Sequence, residues 1–249
     1  MLKHRIIPIV LLNGFSVLKT TNFNVRRNLG SPITVMRTYE TRNVDEMIIL
    51  DIDATRQNRA IDRFIIQEIT KDCFMPLTIG GGIKNCRDIE LILKSGADKI
   101  SINSEALRNT NFVIEAVKNF GSQCIVASID LIQKNKKIEI YNNDSDYSNL
   151  NFLNQIKIFE DLGIGELLIC DVNREGTMSG PNFELAKEIS DYCSVPLIYS
   201  GGVSCPRDTS DLIKFSGMSG VGVSSIFHFT DWTPEDCRKS LRESGLAAR

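Results

Sequence analysis

Asp130 closes the apolar run Ile125-Val126-Ala127-Ser128-Ile129-Asp130. A carboxylate at the end of a buried strand is partly stripped of water, which makes it a candidate general acid or base. The plainer reading is a cap for the segment that follows. Two glycine turns add anion-binding chemistry: Leu77-Thr78-Ile79-Gly80-Gly81-Gly82-Ile83 and Leu197-Ile198-Tyr199-Ser200-Gly201-Gly202-Val203. In each, a run of strand length ends in residues without Cβ and a helical pattern follows, so backbone N–H groups can approach an anion at a helix start. Asn103-Ser104 and Ser224-Ser225 bring small polar groups to the ends of two further runs. Gly81, Gly82, Asn103 and Ser104 on one side, and Gly201, Gly202, Ser224 and Ser225 on the other, are therefore candidate phosphate-binding residues. Either glycine turn alone reads equally well as a tight turn without a ligand. The pair favours an elongated small molecule with a phosphate at each end.

Eight apolar runs must position these groups: Arg5–Leu12, Glu46–Asp51, Met75–Ile79, Lys99–Ile102, Gln123–Asp130, Glu166–Cys170, Val195–Tyr199 and Gly220–Val223. Helical periodicity fills the intervals at Pro32–Thr41, Ala60–Thr70, Cys86–Lys94, Asn111–Lys118, Leu153–Leu162, Asn182–Tyr192, Pro206–Phe215 and Pro234–Ser244. Ser31-Pro32 and Thr233-Pro234 carry the signal of an N-cap followed by a first-turn proline. Eight strand–helix units within 249 residues match an α/β fold of the (β/α)₈ TIM barrel class, with an open doubly wound sheet as the alternative. Barrel sites lie at the C-terminal strand ends, which here carry Leu11, Asp51, Asp53, Gly80–Gly82, Asn103, Ser104, Asp130, Asp171, Asn173, Ser200–Gly202, Ser224 and Ser225.

The chain also repeats itself. Leu50-Asp51-Ile52-Asp53 returns as Cys170-Asp171-Val172-Asn173, Gly81-Gly82-Ile83 as Gly201-Gly202-Val203, and Lys99–Ser104 as Gly220–Ser225, each about 120 residues later. This predicts one domain over 1–249, a single barrel of two (β/α)₄ half-barrels near 1–121 and 122–249. The symmetric counterpart of Asp130 then falls at residue 10 or 11, where the chain reads Pro8-Ile9-Val10-Leu11-Leu12-Asn13-Gly14. Symmetry calls for an acid pair and the residues supply one member.

Composition removes several classes. Lys+Arg 29 against Asp+Glu 31 gives a net charge of −2, so no nucleic-acid partner is expected from bulk electrostatics. No run is long enough to span a membrane. Met1–Pro8 has a strand pattern and is too short for a signal peptide. Seven cysteines without CxxC spacing read as reduced thiols in a cytoplasmic protein. Two histidines make a multi-histidine metal site unexpected, and no metal or other cofactor is expected. Glu243–Arg249 reads as a frayed tail.

A family resemblance rests on Arg5-Ile6-Ile7-Pro8, Val17-Leu18-Lys19, Asp45-Glu46, Leu50-Asp51-Ile52, Gly80–Ile83, Gly96-Ala97-Asp98-Lys99, Ser101–Ser104, Gly121-Ser122-Gln123, Ile129-Asp130, Gly163, Gly165-Glu166, Gly176-Thr177, Ser200-Gly201-Gly202 and Phe227-His228-Phe229. Over nearly its whole length the chain resembles the cyclase subunit (a lyase) of imidazole glycerol phosphate synthase. The resemblance implies a (β/α)₈ barrel paired as a heterodimer with a glutaminase subunit. Ammonia from that partner would enter the barrel floor through a gate matching Arg5, Glu46, Lys99 and Glu166, and react at the top with a bisphosphorylated ribulosyl aminoimidazole carboxamide. The plainer reading of those four charges is an ion-pair network that closes the barrel. The family's strand-five aspartate matches Asp130, but its strand-one Cys-Leu-Asp-Val motif is replaced by Ile9-Val10-Leu11-Leu12, and leucine transfers no proton. The family's Asp-Arg-Asp-Gly-Thr loop reads Asn173-Arg174-Glu175-Gly176-Thr177, Ser219 replaces an aspartate, and the glycine-rich loop after Asp130 reads Tyr141–Tyr147.

A divergent branch with leucines at the strand-one position and an Asp-Ile-Asp-Ala segment like Asp51–Ala54 is closer. Its members are associated with bacterial surface-polysaccharide (lipopolysaccharide) genes, where barrel and glutaminase are thought to supply ammonia to a third protein that amidates a sugar. The leading expectation is therefore an ammonia-channelling subunit for sugar amidation. A working cyclase of histidine biosynthesis, with Asp130 and Lys19 as catalytic residues, is the second reading. A non-catalytic activator of the glutaminase is the third, and a sugar-phosphate isomerase on the related half-barrel fold is the fourth.

Overall fold

The computed structural model describes residues 3–71, 73–142, 147 and 150–249. In chain order the elements are β1 (Arg5–Leu12), β2 (Val17–Thr21), β3 (Val25–Gly30), α1 (Pro32–Thr41), β4 (Met47–Asp51), α2 (Arg63–Thr70), β5 (Leu77–Gly80), α3 (Cys86–Lys94), β6 (Lys99–Ile102), α4 (Ser104–Arg108), α5 (Thr110–Phe120), β7 (Ile125–Lys134), β8 (Lys137–Ile140), α6 (Phe152–Asp161), β9 (Glu166–Asp171), α7 (Phe183–Tyr192), β10 (Leu197–Ser200), α8 (Pro206–Ser216), β11 (Gly220–Val223), α9 (Ser225–Phe229) and α10 (Pro234–Glu243). Parallel pairing runs β1-β4-β5-β6-β7-β9-β10-β11, and β11 returns to β1 through Arg5↔Gly220 and Pro8↔Val223. The result is a closed eight-stranded (β/α)₈ barrel, as the run count implies.

Strand alternation explains the near-continuous apolar sequence of the barrel strands, because both faces are covered. Ile7, Ile9, Leu11, Ile48, Val126, Leu168 and Ile198 fill the interior, with Leu50 and Ile52 packed against them. Their strand neighbours Ile6, Val10, Leu12, Ile49, Ile100 and Ile169 point outward and pack with helix residues such as Ile66, Ile89, Val113 and Phe159. Helix starts follow their caps. The side chains of Asp62, Asn85, Asn109, Asn151 and Asn182 each accept a backbone N–H of the first turn. Thr233 forms a full capping box with Asp236, whereas Ser31 makes no side-chain cap.

Three features depart from the sequence reading. First, β1 and β7 each carry an antiparallel addition. The β2–β3 hairpin turns at Asn22 and Phe23 (φ 51° and 59°), and β7–β8 turns at Asn135 and Lys136 (φ 49° and 66°). Positive φ at two successive residues, asparagine first, gives the hairpin turn whose twist matches the strands; Asn135-Lys136 is the whole β7–β8 loop, whereas the β2–β3 loop adds Asn24, whose N–H donates to Thr21 O at 3.0 Å. Second, β7 consequently runs past Asp130 to Lys134, so Asp130 does not end its strand; the Tyr141–Tyr147 loop lies partly outside the described residues. Third, the C-terminal tail is not frayed. His4 and Ala248 form a parallel bridge, with His4 N–H donating to Ala247 O at 2.7 Å and Arg249 N–H to His4 O at 3.1 Å, and Leu246 packs on the core. Deleting Leu246–Arg249 should lower the melting temperature by about 2–8 °C, the equivalent of roughly 1–2 kcal/mol for a chain of this size. An unchanged melt in differential scanning calorimetry would restore the frayed-tail reading.

Candidate functional site

At the N-terminal ends of the barrel strands, four charges from four strands form a closed circuit. Arg5 donates to Glu46 Oε2 at 2.9 Å and to Glu166 Oε1 at 2.5 Å, and Lys99 donates to Glu46 Oε1 and Glu166 Oε2, both at 2.9 Å. Cations and anions alternate around the barrel, so each carboxylate gives one oxygen to each cation. Burial opposes charging at all three groups whose titration departs from normal, and the ion pairs outweigh it: Glu46 is lowered by Arg5 and Lys99, and Arg5 and Lys99 are raised by the two glutamates. The four residues of the sequence-derived gate thus meet in one ring. Ser219 joins it unforeseen: its Oγ accepts from Arg5 at 3.2 Å and from Leu197 N–H at 2.8 Å.

At the other end, pairing registers define equivalent positions. Leu11↔Leu50 and Leu12↔Asp51 on β1–β4 correspond to Asp130↔Cys170 and Leu131↔Asp171 on β7–β9. Leu11 and Asp130 therefore occupy matching places, both facing inward by strand alternation with Ile9 and Val126. Leu11 is buried among apolar side chains. Asp130 is partly exposed at the mouth, and its Oδ2 accepts from Asn103 Nδ2 at 2.9 Å. Burial within the barrel wall pushes Asp130 up to about 7; the Asn103 hydrogen bond works against this and the charge of Glu175 adds to it. Cys170 is pushed well above the usual thiol range, chiefly by burial, so it does not offer a thiolate.

Lys19 reaches the same mouth from β2. It forms a buried ion pair with Glu175, whose other oxygen accepts from Phe23 N–H at 3.4 Å. These two side chains, with Gly201, Gly202, Ser224, Ser225 and Met178, line an open cleft. One of the two predicted phosphate groupings therefore shares a cleft with Lys19. Sequence reasoning missed Glu175, although a lysine in the apolar run Val17-Leu18-Lys19 implies an acidic partner once buried.

The glycine turns have a role besides anion approach. A Cβ on Gly81 would lie 2.6 Å from Asp51 O, and one on Gly82 would lie 1.8 Å from Arg59 O; at Gly201 and Gly202 the obstacles are Asp171 O at 2.8 Å and Gly180 O at 2.2 Å. All four also have positive φ. Each turn is glycine because the loop after the preceding strand packs on it. Asp51 and Asp171 brace those loops: Asp51 takes both Arg59 Nη atoms at 2.7 and 3.2 Å, and Asp171 accepts from Asn173 N–H at 3.1 Å and from Tyr199 Oη of β10 at 3.0 Å. Asn103 turns its amide to Asp130, and Asn103 and Ser104 open α4 as Ser224 and Ser225 open α9.

A raised carboxylate affinity makes the folded chain bind a proton that the unfolded chain releases between about pH 4 and 7. Asp130 thus contributes full stability below about pH 4, and that contribution is lost as pH rises towards 7. Asp130→Asn should melt higher than the parent by a few degrees at pH 8, with the difference shrinking towards pH 4. A difference independent of pH in calorimetric scans would contradict the assignment.

The family model of histidine biosynthesis proteins matches residues 5–233. The whole chain is 44% identical to a Campylobacter jejuni protein bearing the provisional name imidazole glycerol phosphate synthase subunit hisF2, covering 99% of it. It is 37% and 36% identical to the imidazole glycerol phosphate synthase subunits HisF of Dictyoglomus thermophilum and Dictyoglomus turgidum, again over 100% of this chain and 99% of each relative. Among the described residues no helix is long and apolar enough to cross a membrane. With a closed (β/α)₈ barrel and full-length similarity to these subunits, the chain belongs to the histidine biosynthesis protein family, beside the HisF-type subunits of imidazole glycerol phosphate synthase.

Proposed function

We propose that this chain is the synthase-like subunit of a cytoplasmic glutamine amidotransferase complex. It receives ammonia from a glutaminase at the N-terminal face of the barrel and serves amidation of a surface-polysaccharide sugar by a third protein. The observation that carries this reading is the contrast between the two ends of the barrel. The floor keeps a four-charge ring complete, while the mouth has Leu11 in the place equivalent to Asp130. One inner wall offers hydroxyls between the two ends. By alternation Thr78, Ser101 and Ser128 face the interior, and Thr78 Oγ1 is buried without a protein partner. A small neutral hydrogen-bonding molecule such as ammonia suits such a wall. In this reading Gly81, Gly82, Asn103 and Ser104, and Gly201, Gly202, Ser224 and Ser225, are two phosphate sites of one barrel built from half-barrels near 1–121 and 122–249.

A second reading, an active cyclase, is favoured by the meeting of Asp130 with Asn103 and of Lys19 with Glu175 at the mouth. There Asp130 would transfer the proton and Lys19 would stabilise developing negative charge.

The two are separated by assaying the chain with its glutaminase, glutamine and the bisphosphorylated aminoimidazole substrate. The leading reading expects cyclised product at least about 100-fold below ordinary family members, the scale of a lost general acid–base. Leu11→Asp should raise it at least tenfold and Asp130→Asn should abolish the gain. Product at the rate of ordinary members would sink the leading reading. For the floor, Lys99→Met should leave glutamine hydrolysis within about threefold while changing the fraction of ammonia transferred to the acceptor. Unaltered transfer, followed with ¹⁵N-amide glutamine, would count against passage through the ring.

A further inference from the structure

The β2–β3 hairpin is a two-stranded ribbon, which is marginal unless its faces are held. Its register pairs Lys19 with Arg27 and Thr20 with Arg26, so Lys19 and Arg27 share one face and Arg26 lies on the other. The first face meets the cleft: Lys19 pairs with Glu175, and the Arg27 guanidinium sits 5.6 Å from the Phe229 ring of α9. On the opposite face Arg26 Nη1 donates to both oxygens of Asp53, at 2.9 and 2.8 Å. Asp53 is buried on the loop after β4, and the Arg26 hydrogen bonds hold its carboxyl below the usual range.

We propose that Arg26 is a positioning residue: by clamping Asp53 it holds the hairpin across the barrel mouth and so delivers Lys19 to the cleft formed by Glu175, Gly201, Gly202 and Ser224. The role rests on Lys19 serving that cleft as proposed above. Arg56 also reaches Asp53, at 2.6 Å, but it lies on the same loop as Asp53 and ties nothing to the hairpin. Among the described residues, Arg26 alone carries the connection between the two elements through this carboxylate. The connection continues into the glycine turn, because the same loop contributes the Arg59 carbonyl against Gly82 and the Ile61 N–H that donates to Gly81 O at 3.2 Å. One end of the mouth is thereby joined mechanically to the lysine that serves the other. Because a single nitrogen of Arg26 meets both oxygens, Arg26→Lys keeps a charged donor of the kind the contact uses.

The test is chemical labelling of lysine amines in the free chain with acetic anhydride, read residue by residue by mass spectrometry. Buried and paired, Lys19 should label slowly in the parent chain. Arg26→Met should raise the Lys19 rate at least tenfold while Lys99 in the floor ring stays unchanged, and Arg26→Lys should recover most of the protection. Lys19 labelling at the parental rate in Arg26→Met overturns the proposal, and so does a parallel rise at Lys99, which would mark general loosening. Should Arg26→Met fail to fold, Asp53→Asn, which preserves shape, carries the same expectations. No substrate enters the measurement, so its outcome is distinguishable from failure of the functional reading.

Discussion

Closure of β11 onto β1 is the constraint on which the rest of this molecule depends. Once eight parallel strands are joined in a ring, a slip of one residue in any strand would exchange its inward and outward side chains. The interior isoleucines and leucines then have one acceptable register. That register brings Arg5, Glu46, Lys99 and Glu166 to one level at the floor and Leu11 and Asp130 to one level at the mouth. The charged ring reinforces the closure in return, since each glutamate bridges two cations and each cation two glutamates. Breaking one member would leave a buried charge short of a partner, the costly case for ion pairs.

The mouth depends on loops more than on strands. Backbone carbonyls of neighbouring loops occupy the space where side chains would stand at Gly82 and Gly202, and buried aspartates at Asp51 and Asp171 brace those loops from below. The glycines thus secure loop packing whether or not an anion is bound. Polarity at the mouth is also one-sided. Asp130, Cys170 and Asn103 stand on one arc, while Leu11, Leu50 and Ile52 make the facing arc apolar. Among the described residues Asp130 is the carboxylate on this polar arc, and the Lys19–Glu175 ion pair, its lysine from the hairpin and its glutamate from the loop after β9, stands at the same mouth.

The barrel strands were legible because burial on both faces leaves a run of apolar residues with a definite length, and their helices because asparagine or aspartate caps stand before apolar periodicity. Asn85 before α3 and Asn182 before α7 are direct examples. The internal repeat pointed to Leu11 as the counterpart of Asp130, and the pairing registers put the two at matching places. The hairpins were not legible, since Val25-Arg26-Arg27-Asn28-Leu29-Gly30 is largely exposed and has no buried face to impose alternation. Partnerships made by tertiary approach, such as Lys19 with Glu175 and Ser219 with Arg5, were equally out of reach. The tail misled for a related reason: its bonds to His4 are backbone bonds and leave no mark on residue type.

The ring and the carboxylate also divide unequally between the two ends of the chain. Both cations of the floor, Arg5 and Lys99, come from strands before Gly121, while the inner-wall carboxylate, Asp130, comes after it; only the glutamates are shared, one from each side. A symmetric barrel assembled from two copies of the later segment would have facing acids over a floor of unpaired glutamates. Two copies of the earlier segment would have an overcharged cationic floor beneath an apolar mouth. Each segment supplies charges that the other lacks, so the floor and the mouth are complete only when both contribute.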